Sequence, residues 1–303
     1  MTAIQTLKRG LALVTLVAVA YALYPEARLL ALVVAGRSPV CPLGNAVRVA
    51  KDRRDAERIK TQILTASSLV REENGLELWD TPKGRFWIPK GNRYVLPFNL
   101  AEMERRVYGS GEHFIHPGDI VLDCGASDGD FTRVALAAGA AKVISIEVSP
   151  PAIECLRRNL AEEISGGRVV VYPKGVWDHN DTLTLNIDDT NFAANSVVMK
   201  PASSRPTVQV PLTTIDEIVR ELNLPRVDFI KMDVEGAETR ALNGARETLL
   251  KFRPRLAITA EHKPEDEFAI PDTVRKIRPD YHTECGPCLE SQGRIRADVL
   301  YFY

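Results

Sequence analysis

Residues 121–132 read Val-Leu-Asp-Cys-Gly-Ala-Ser-Asp-Gly-Asp-Phe-Thr, an apolar run that ends near Asp123 and turns at once into a glycine loop. Gly125 and Gly129 let the backbone approach a ligand closely. A loop that leaves a strand and enters a helix sets that ligand at the C-terminal edge of a sheet, near a helix N-terminus. Charge narrows the choice of ligand. A dinucleotide loop needs Gly-x-Gly-x-x-Gly, whereas the middle position here is Ala126. Asp123 and Asp128 beside a pyrophosphate would also cost Coulomb energy in a partly desolvated site. S-adenosylmethionine is the opposite case, because its sulfonium and ammonium are cationic and its ribose hydroxyls need acceptors. Glu147 follows Asp123 by 24 positions, about where an acidic residue meets ribose hydroxyls in nucleotide-binding α/β folds.

Such a loop needs a parallel sheet behind it, and the sequence from residue 118 onward has the alternation that makes one. Strands are predicted at 119–124, 142–148, 168–173, 227–234 and 255–262. The segments "FTRVALAAG", "SPPAIECLRRNLAEE", "TTIDEIVRELN" and "EGAETRALNGARETLLKF" supply crossover helices, the second opening with Ser-Pro-Pro in N-cap and first-turn style. "DYHTECG" and "RADVLYFY" read as an antiparallel pair closing the sheet. The expected fold is therefore α/β, a Rossmann-like, mostly parallel sheet of about seven strands with an antiparallel C-terminal strand. A polar, Asn-rich excursion between the third and fourth strands, around residues 178–210, promises two or three short strands and contacts to an acceptor. Upstream, residues 46–72 have the pattern of one amphipathic helix. Residues 76–91 read as a hairpin, and Asn99 as the cap of a helix reaching Tyr108. The expected division is a hydrophobic segment at 1–36, a helical and hairpin lead-in at 37–110, and the main domain at 111–303.

Of the 303 residues, 39 are basic and 40 acidic, so no global positive field attracts nucleic acid, and no nucleic-acid partner is expected. The N-terminus departs from soluble behaviour. Lys8 and Arg9 precede the uncharged run "GLALVTLVAVAYALY" at 10–24, and "LLALVVAG" continues the apolar character to Gly36. A secretory signal, a membrane anchor or interfacial hairpin over residues 10–36, and a helix buried against the domain all fit this run. Arg28, Arg37, Arg48, Lys51, Arg53 and Arg54 outnumber the two basic residues before it. By the positive-inside rule this favours a membrane-associated chain with a cytoplasmic main domain, the alternative being a soluble cytoplasmic protein. Five cysteines, an odd number in a long chain, read as a reduced compartment rather than a disulfide framework. Cys-Gly-Pro-Cys at 285–288 reads as a turn between the last strands; as a zinc site it has only Cys285, Cys288 and His282 to offer.

The stretches "VLDCGASDGDFT", "VISIEVSP" and "VDFIKMDVEGAE" resemble the motifs of the FkbM family of S-adenosylmethionine-dependent methyltransferases. Residues 230–238, Ile-Lys-Met-Asp-Val-Glu-Gly-Ala-Glu, are the most specific of these. The resemblance covers about residues 95–303 and implies a class I methyltransferase fold and methylation of a hydroxyl oxygen, often on a sugar or polyketide-like product. Position by position it implies a cofactor loop at Asp123, Gly125, Ser127 and Gly129, a ribose acid at Glu147, and a post-strand acidic motif at Asp233 and Glu235. The family has an uncharged residue where Asp128 stands. A base that removes the hydroxyl proton would add about 10²- to 10⁴-fold. The candidates are His262, whose ordinary pKa lies near working pH, its neighbour Glu261, and Asp233. Asp233, Glu235, Glu261 and His262 are also of the types that hold Mg²⁺ or Mn²⁺, although no metal is assigned. The expected activity is O-methylation of a small-molecule or glycan acceptor: a sugar, glycolipid or secondary metabolite. The rivals are a nicotinamide-dependent oxidoreductase on a similar sheet and a non-catalytic S-adenosylmethionine-binding module.

Overall fold

The computed structural model of the protein describes residues 24–188, 191–199 and 207–303. Apart from Tyr24, the run at 10–24 lies outside them. Helix α1 (Pro25–Val34) opens on a proline at its first turn, where the missing N–H costs nothing. It buries Leu29 and Leu32 in the same core as Leu122 and Ile258, and Arg28 pairs with Glu290. The second apolar run is thus packed on the domain. No helix among the described residues is long and apolar enough to cross a membrane.

A short helix α2 (Leu43–Ala46) leads to α3 (Val49–Ala66) and to an antiparallel sheet of β1 (Ser68–Glu73), β2 (Leu76–Thr81) and β3 (Gly84–Pro89). Here the expected single helix over 46–72 divides. Leu69 and Val70, apolar positions of that helix pattern, instead lie on the exposed strand β1, whose backbone is hydrogen-bonded to β2. Pairing across strands overrides the helical period. Helix α4 (Val95–Arg105) starts before Asn99, which is buried inside it rather than capping it. Pro97 falls in the first turn, where a helix tolerates it.

The central sheet comprises β4 (Ile120–Cys124), β5 (Lys142–Ile146), β6 (Val169–Tyr172), β10 (Phe229–Met232), β11 (Arg255–Thr259), β12 (Thr283–Cys285) and β15 (Val299–Phe302). Their order is β12-β15-β11-β10-β4-β5-β6. Five neighbours are parallel and β15 runs antiparallel between β11 and β12, in agreement with the expected seven-stranded arrangement. Four-residue cores such as Phe229–Met232 are buried throughout, as strands covered on both faces should be. Helices α5 (Asp130–Ala137), α6 (Pro150–Asn159), α7 (Ala161–Ser165), α8 (Ile215–Glu221), α9 (Glu238–Asn243), α10 (Arg246–Phe252) and α11 (Asp266–Ile277) accompany the strands. The excursion folds into β7 (Gly175–Val176), β8 (Asp181–Asn186) and β9 (Thr207–Thr213), which form one sheet. The last hairpin is β13 (Cys288–Ser291) with β14 (Arg294–Ala297).

Register decides which side chains meet. Asp123 on β4 is paired with Lys231 on β10 and with Ser145 on β5, which sets all three in one row at the C-terminal end of the sheet. A second departure from expectation joins distant segments. Cys41 and Cys288, 247 residues apart, form a disulfide, a pairing that the spacing of cysteines could not indicate.

Leu122 has no exposed surface in the middle of this sheet. Its truncation, Leu122→Ala, is expected to lower unfolding free energy by about 2–5 kcal/mol in chemical denaturation. Val34→Ala, at an exposed position, should leave the midpoint unchanged.

Candidate active site

The C-terminal ends of β4, β5, β10 and β11 open into a cavity of about 610 Å³, within the range of roughly 300–1,000 Å³ that small-molecule sites occupy. Helix α4 and the turn at Phe192–Ala194 from the excursion supply the facing walls, with Tyr94 and Phe98 lining it from α4 and its start. Both aromatics are exposed. The lead-in therefore completes the cavity.

The glycine loop forms the floor. Gly125 has φ +78°, and a Cβ there would lie 1.8 Å from the carbonyl oxygen of Asp233, so the β4 and β10 loops can cross only if this residue is glycine. Gly129 lies outside the wall, where a Cβ would press on Leu156 and Leu160 at 2.9 Å. Glu147 accepts the backbone N–H groups of Ser127 (2.8 Å), Val148 (2.7 Å) and Ser149 (2.7 Å). A carboxylate has about four acceptor positions, so one remains for a ligand hydroxyl. Ser127 lines the cavity with its Oγ buried and without a hydrogen-bond partner. An orphaned hydroxyl at a cavity floor fits a polar ligand above it.

Two loop aspartates do not face the cavity. Asp123 is fully buried behind the wall, where Oδ2 accepts the Thr132 hydroxyl at 2.7 Å and Oδ1 lies 3.4 Å from Lys231 Nζ. Asp128 is equally buried, and neither of its oxygens is hydrogen-bonded. Burial, reinforced by the charge of Asp130, pushes its carboxyl well above the usual range. The placement of Asp123 differs from the expectation that it meets the ligand directly, and Asp128, whose role the sequence left open, does not reach the cavity either. Lys231 does line the cavity and donates to Gly125 O at 2.6 Å. Burial alone would lower its pKa, but the charges of Asp123, Asp233 and Asp130 prevail and raise it.

The acidic motif after β10 converges with the residues after β11. Asp233 accepts the Tyr108 hydroxyl at 2.7 Å, and burial, which would raise its pKa, is outweighed by the charges of Lys231 and His262, which lower it. The His262 ring is nearly buried, with Nδ1 3.1 Å from Glu238 and Nε2 3.5 Å from both Asp233 and Glu235. Burial alone would lower its pKa. Hydrogen bonds to Glu235 and Glu238, with the charge of Asp233, outweigh it and push it up to about 12. His262 therefore holds its proton at neutral pH and has no lone pair to offer, contrary to the reason for ranking it first as a base. Glu261 faces the same cavity. Desolvation by surrounding protein raises its carboxyl, partly countered by His262. Asp298 is raised to about 7 by burial and then by the charges of Glu261 and Asp233, against Arg105. Glu102, on α4, is raised well above the carboxylate range by burial and the same neighbours.

The sequence profile of the methyltransferase FkbM domain matches residues 123–287, more than half of the chain. The chain belongs to the FkbM methyltransferase family. It is an S-adenosylmethionine-dependent methyltransferase, with S-adenosylmethionine as its cofactor. Among solved structures it is similar to the FkbM methyltransferase of Methylobacillus flagellatus, at 18% identity over 84% of this chain with a TM-score of 0.46. The chain spans 60% of that protein's length. It is also similar to an S-adenosylmethionine-dependent methyltransferase of Agrobacterium tumefaciens, at 13% identity over 77% of this chain and 71% of the other, with a TM-score of 0.41. No curated protein matches it.

Within this FkbM domain the sequence brought Gly125, Ser127, Glu147, Asp233, Glu235, Glu261 and His262 to one cavity. It did not indicate Lys231, Tyr108, Glu238, Glu102 or Asp298. Lys231 and Glu238 lie inside the specific 230–238 motif, where an unexplained buried-strand lysine was the available signal. Tyr108 and Glu102 come from the lead-in, and nothing local marks them. Different roles imply different losses. Glu147→Ala should weaken S-adenosylmethionine binding by at least about tenfold in calorimetry, since a hydrogen bond to a charged group is worth about 1.5–3 kcal/mol. Asp123→Ala leaves Lys231 buried without its partner and should instead cost about 3–5 kcal/mol of stability, read by denaturation.

Proposed function

We propose that this FkbM methyltransferase methylates a hydroxyl oxygen of an uncharged, polyhydroxylated acceptor: a sugar, a glycolipid headgroup or a secondary metabolite. The observation that carries this reading is the charge of the cavity. Among the described residues seven carboxyl groups line it, against three lysines and one histidine; burial favours the protonated form of Glu102 and raises Asp298 to about 7, and the other five carry the negative charge. Such a wall repels phosphate and carboxylate acceptors, and it accepts hydrogen bonds from hydroxyl groups. Tyr94 and Phe98 add exposed apolar faces on which a sugar ring can rest.

When bound, the cofactor supplies an electrophilic methyl carbon on a sulfonium. Ser127 Oγ and the remaining acceptor position of Glu147 are suited to its hydroxyls, and the carboxylates that line the cavity, Asp130 among them, to its positive charges. Gly125 keeps the floor low enough for close approach, and α4 with the Phe192 turn walls the acceptor side. The residues must hold the acceptor oxygen in line with the methyl carbon and the departing sulfur, which accounts for much of the acceleration. We assign the acceptor's proton to Glu261, whose carboxylate faces the cavity and whose affinity for protons is raised. His262, protonated, orients Asp233 and Glu235; Asp233 in turn fixes the Tyr108 hydroxyl.

The test is a panel of neutral glycosides, their phosphorylated counterparts and amines, incubated with the full chain and cofactor, with products identified by mass spectrometry. Methyl ethers on the neutral acceptors are the expected result. Methylation confined to phosphorylated acceptors or to nitrogen would sink the reading. For an active acceptor, a base must be deprotonated to work, so kcat should rise with pH through an apparent pKa above the ordinary carboxylate range, because surrounding protein raises the Glu261 carboxyl. Glu261→Gln should lower kcat by about 10²- to 10⁴-fold with cofactor affinity unchanged. An unchanged kcat would remove Glu261 from the mechanism.

A further inference from the structure

Away from the cavity, three of the five cysteines meet at one point. Cys41 precedes α2, Cys285 ends β12 and Cys288 begins β13, and the three Sγ atoms lie within 4.8 Å of one another. The disulfide joins Cys41 to Cys288. Cys285 Sγ stands 3.6 Å from Cys41 Sγ and 3.5 Å from Cys288 Sγ. The turn that carries this third sulfur is pinned from the N-terminal side: the Asn45 side chain donates to Cys285 O at 2.9 Å and to Gly286 O at 2.8 Å.

One disulfide needs two sulfurs, so the position of the third calls for an explanation. Thiol–disulfide exchange requires the attacking sulfur to lie in line with the bond it breaks, much nearer one sulfur than the other. Cys285 is almost equidistant from both, beside the bond rather than behind either end, which is the wrong place for exchange. It is the right place for a shared ligand. Three thiolates about 2.3 Å from a tetrahedral Zn²⁺ stand about 3.8 Å apart, and two of the three separations here are already close to that. Cys285 and Cys288 have the two-residue spacing of a zinc-binding pair. Charge is arranged for a cation as well: Glu267, on the first turn of α11, is 1% exposed with neither oxygen hydrogen-bonded. Its charge acts on Cys285, and its nearby cations are Arg296 and Arg294, the latter at 3.5 Å.

We propose that the reduced protein binds one thiophilic divalent cation of the Zn²⁺ type through Cys41, Cys285 and Cys288, and that the Cys41–Cys288 disulfide is the oxidised, metal-free alternative of the same site. Interconversion balances as follows. An external thiol reductant gives two electrons and two protons to the Cys41–Cys288 bond and is itself converted to a disulfide. The cation then displaces the thiol protons into solvent and takes a water or an added ligand as its fourth partner. In either state the site holds residues 37–48 against the edge of the sheet. Through β14 it supports Arg296, whose guanidinium holds the carbonyls of Ala260 (3.2 Å) and Lys263 on either side of Glu261 and His262.

The full chain, reduced anaerobically and freed of reductant, is titrated with Co²⁺ and then Zn²⁺. Thiol counting should rise from three to five on reduction. One Co²⁺ per chain should bind with sulfur-to-cobalt charge-transfer absorption and be displaced by Zn²⁺. Cys285→Ala keeps the two disulfide partners and therefore the fold, checked by circular dichroism and cofactor binding. It should lose the charge-transfer band and bind the metal more weakly by over about 100-fold, more than the loss of an outer-shell partner costs. Cys285→Ser offers the same comparison with less change of shape, and Cys155→Ala, at a buried thiol elsewhere, should bind as wild type. A folded chain whose disulfide resists reduction, a reduced chain without stoichiometric metal, or undiminished binding in the Cys285 variants would each overturn the proposal.

Discussion

The ammonium of Lys231 lies 3.4 Å from Asp123 Oδ1 with 4% of the residue exposed, donates to the Gly125 carbonyl, and stands 5.3 Å from the centre of the Tyr108 ring. Charges this deep are costly unless they are paired and hydrogen-bonded. The pair therefore dictates what surrounds it. It fixes the register of β4 on β10, since only that pairing brings the two side chains opposite each other. It also holds the glycine loop against the end of β10 and sets a buried positive charge under the cavity. Asp233, Asp130 and Tyr108 can occupy their places because Lys231 offsets the repulsion among the acids. The loop aspartate that looked in sequence like a ligand residue is one step removed, holding the lysine and Thr132 that shape the floor.

The same electrostatic constraint sorts the titratable groups into two kinds. His262, enclosed by Asp233, Glu235 and Glu238, is a fixed cation. Glu102, Glu261 and Asp298 crowd one another without a cation of equal strength, so their protons are held more tightly than a surface carboxylate would hold them. An unperturbed histidine is the natural first choice for a base near neutral pH. Its partners reverse that choice. The carboxylates that surround it keep it protonated, and the group able to exchange a proton near neutrality is carboxylic.

What the sequence disclosed follows from the range of the physics involved. The five parallel strands were legible because each is a short apolar run bounded by turn residues, and the closing antiparallel pair because both its strands are β-rich. The glycine loop and the 230–238 motif were legible because their chemistry is local. The boundary near Ala66 was lost because β1 is stabilised by pairing with β2, and Asn99 was misread because a polar residue inside a helix looks like a cap until the buried surface is known. Glu102, Tyr108 and Asp298 were invisible as site residues. They reach the cavity from α4, from the segment after it and from the β14–β15 connection, and nothing in their neighbours records that meeting.

The N-terminal residues show this limit most sharply, and also what it implies about the architecture. Residues 1–36 read as a hydrophobic segment and 37–110 as a lead-in to a domain that begins at 111, yet α1 buries leucines in the main core, α4 lines the cavity and Cys41 reaches Cys288. A parallel sheet presents its ligand edge open to solvent, and in this fold some covering element must close it if water is to be kept from a sulfonium. The excursion after β6 closes one side and the lead-in closes the other. Because the lead-in is anchored at the opposite edge of the sheet, beside β12 and β13, its wall can hold position only if that anchor holds. The cysteine cluster, Asn45 and the Arg28–Glu290 pair lie at that edge, which makes the packing of the first described helices a condition for the shape of the acceptor side rather than an appendage to it.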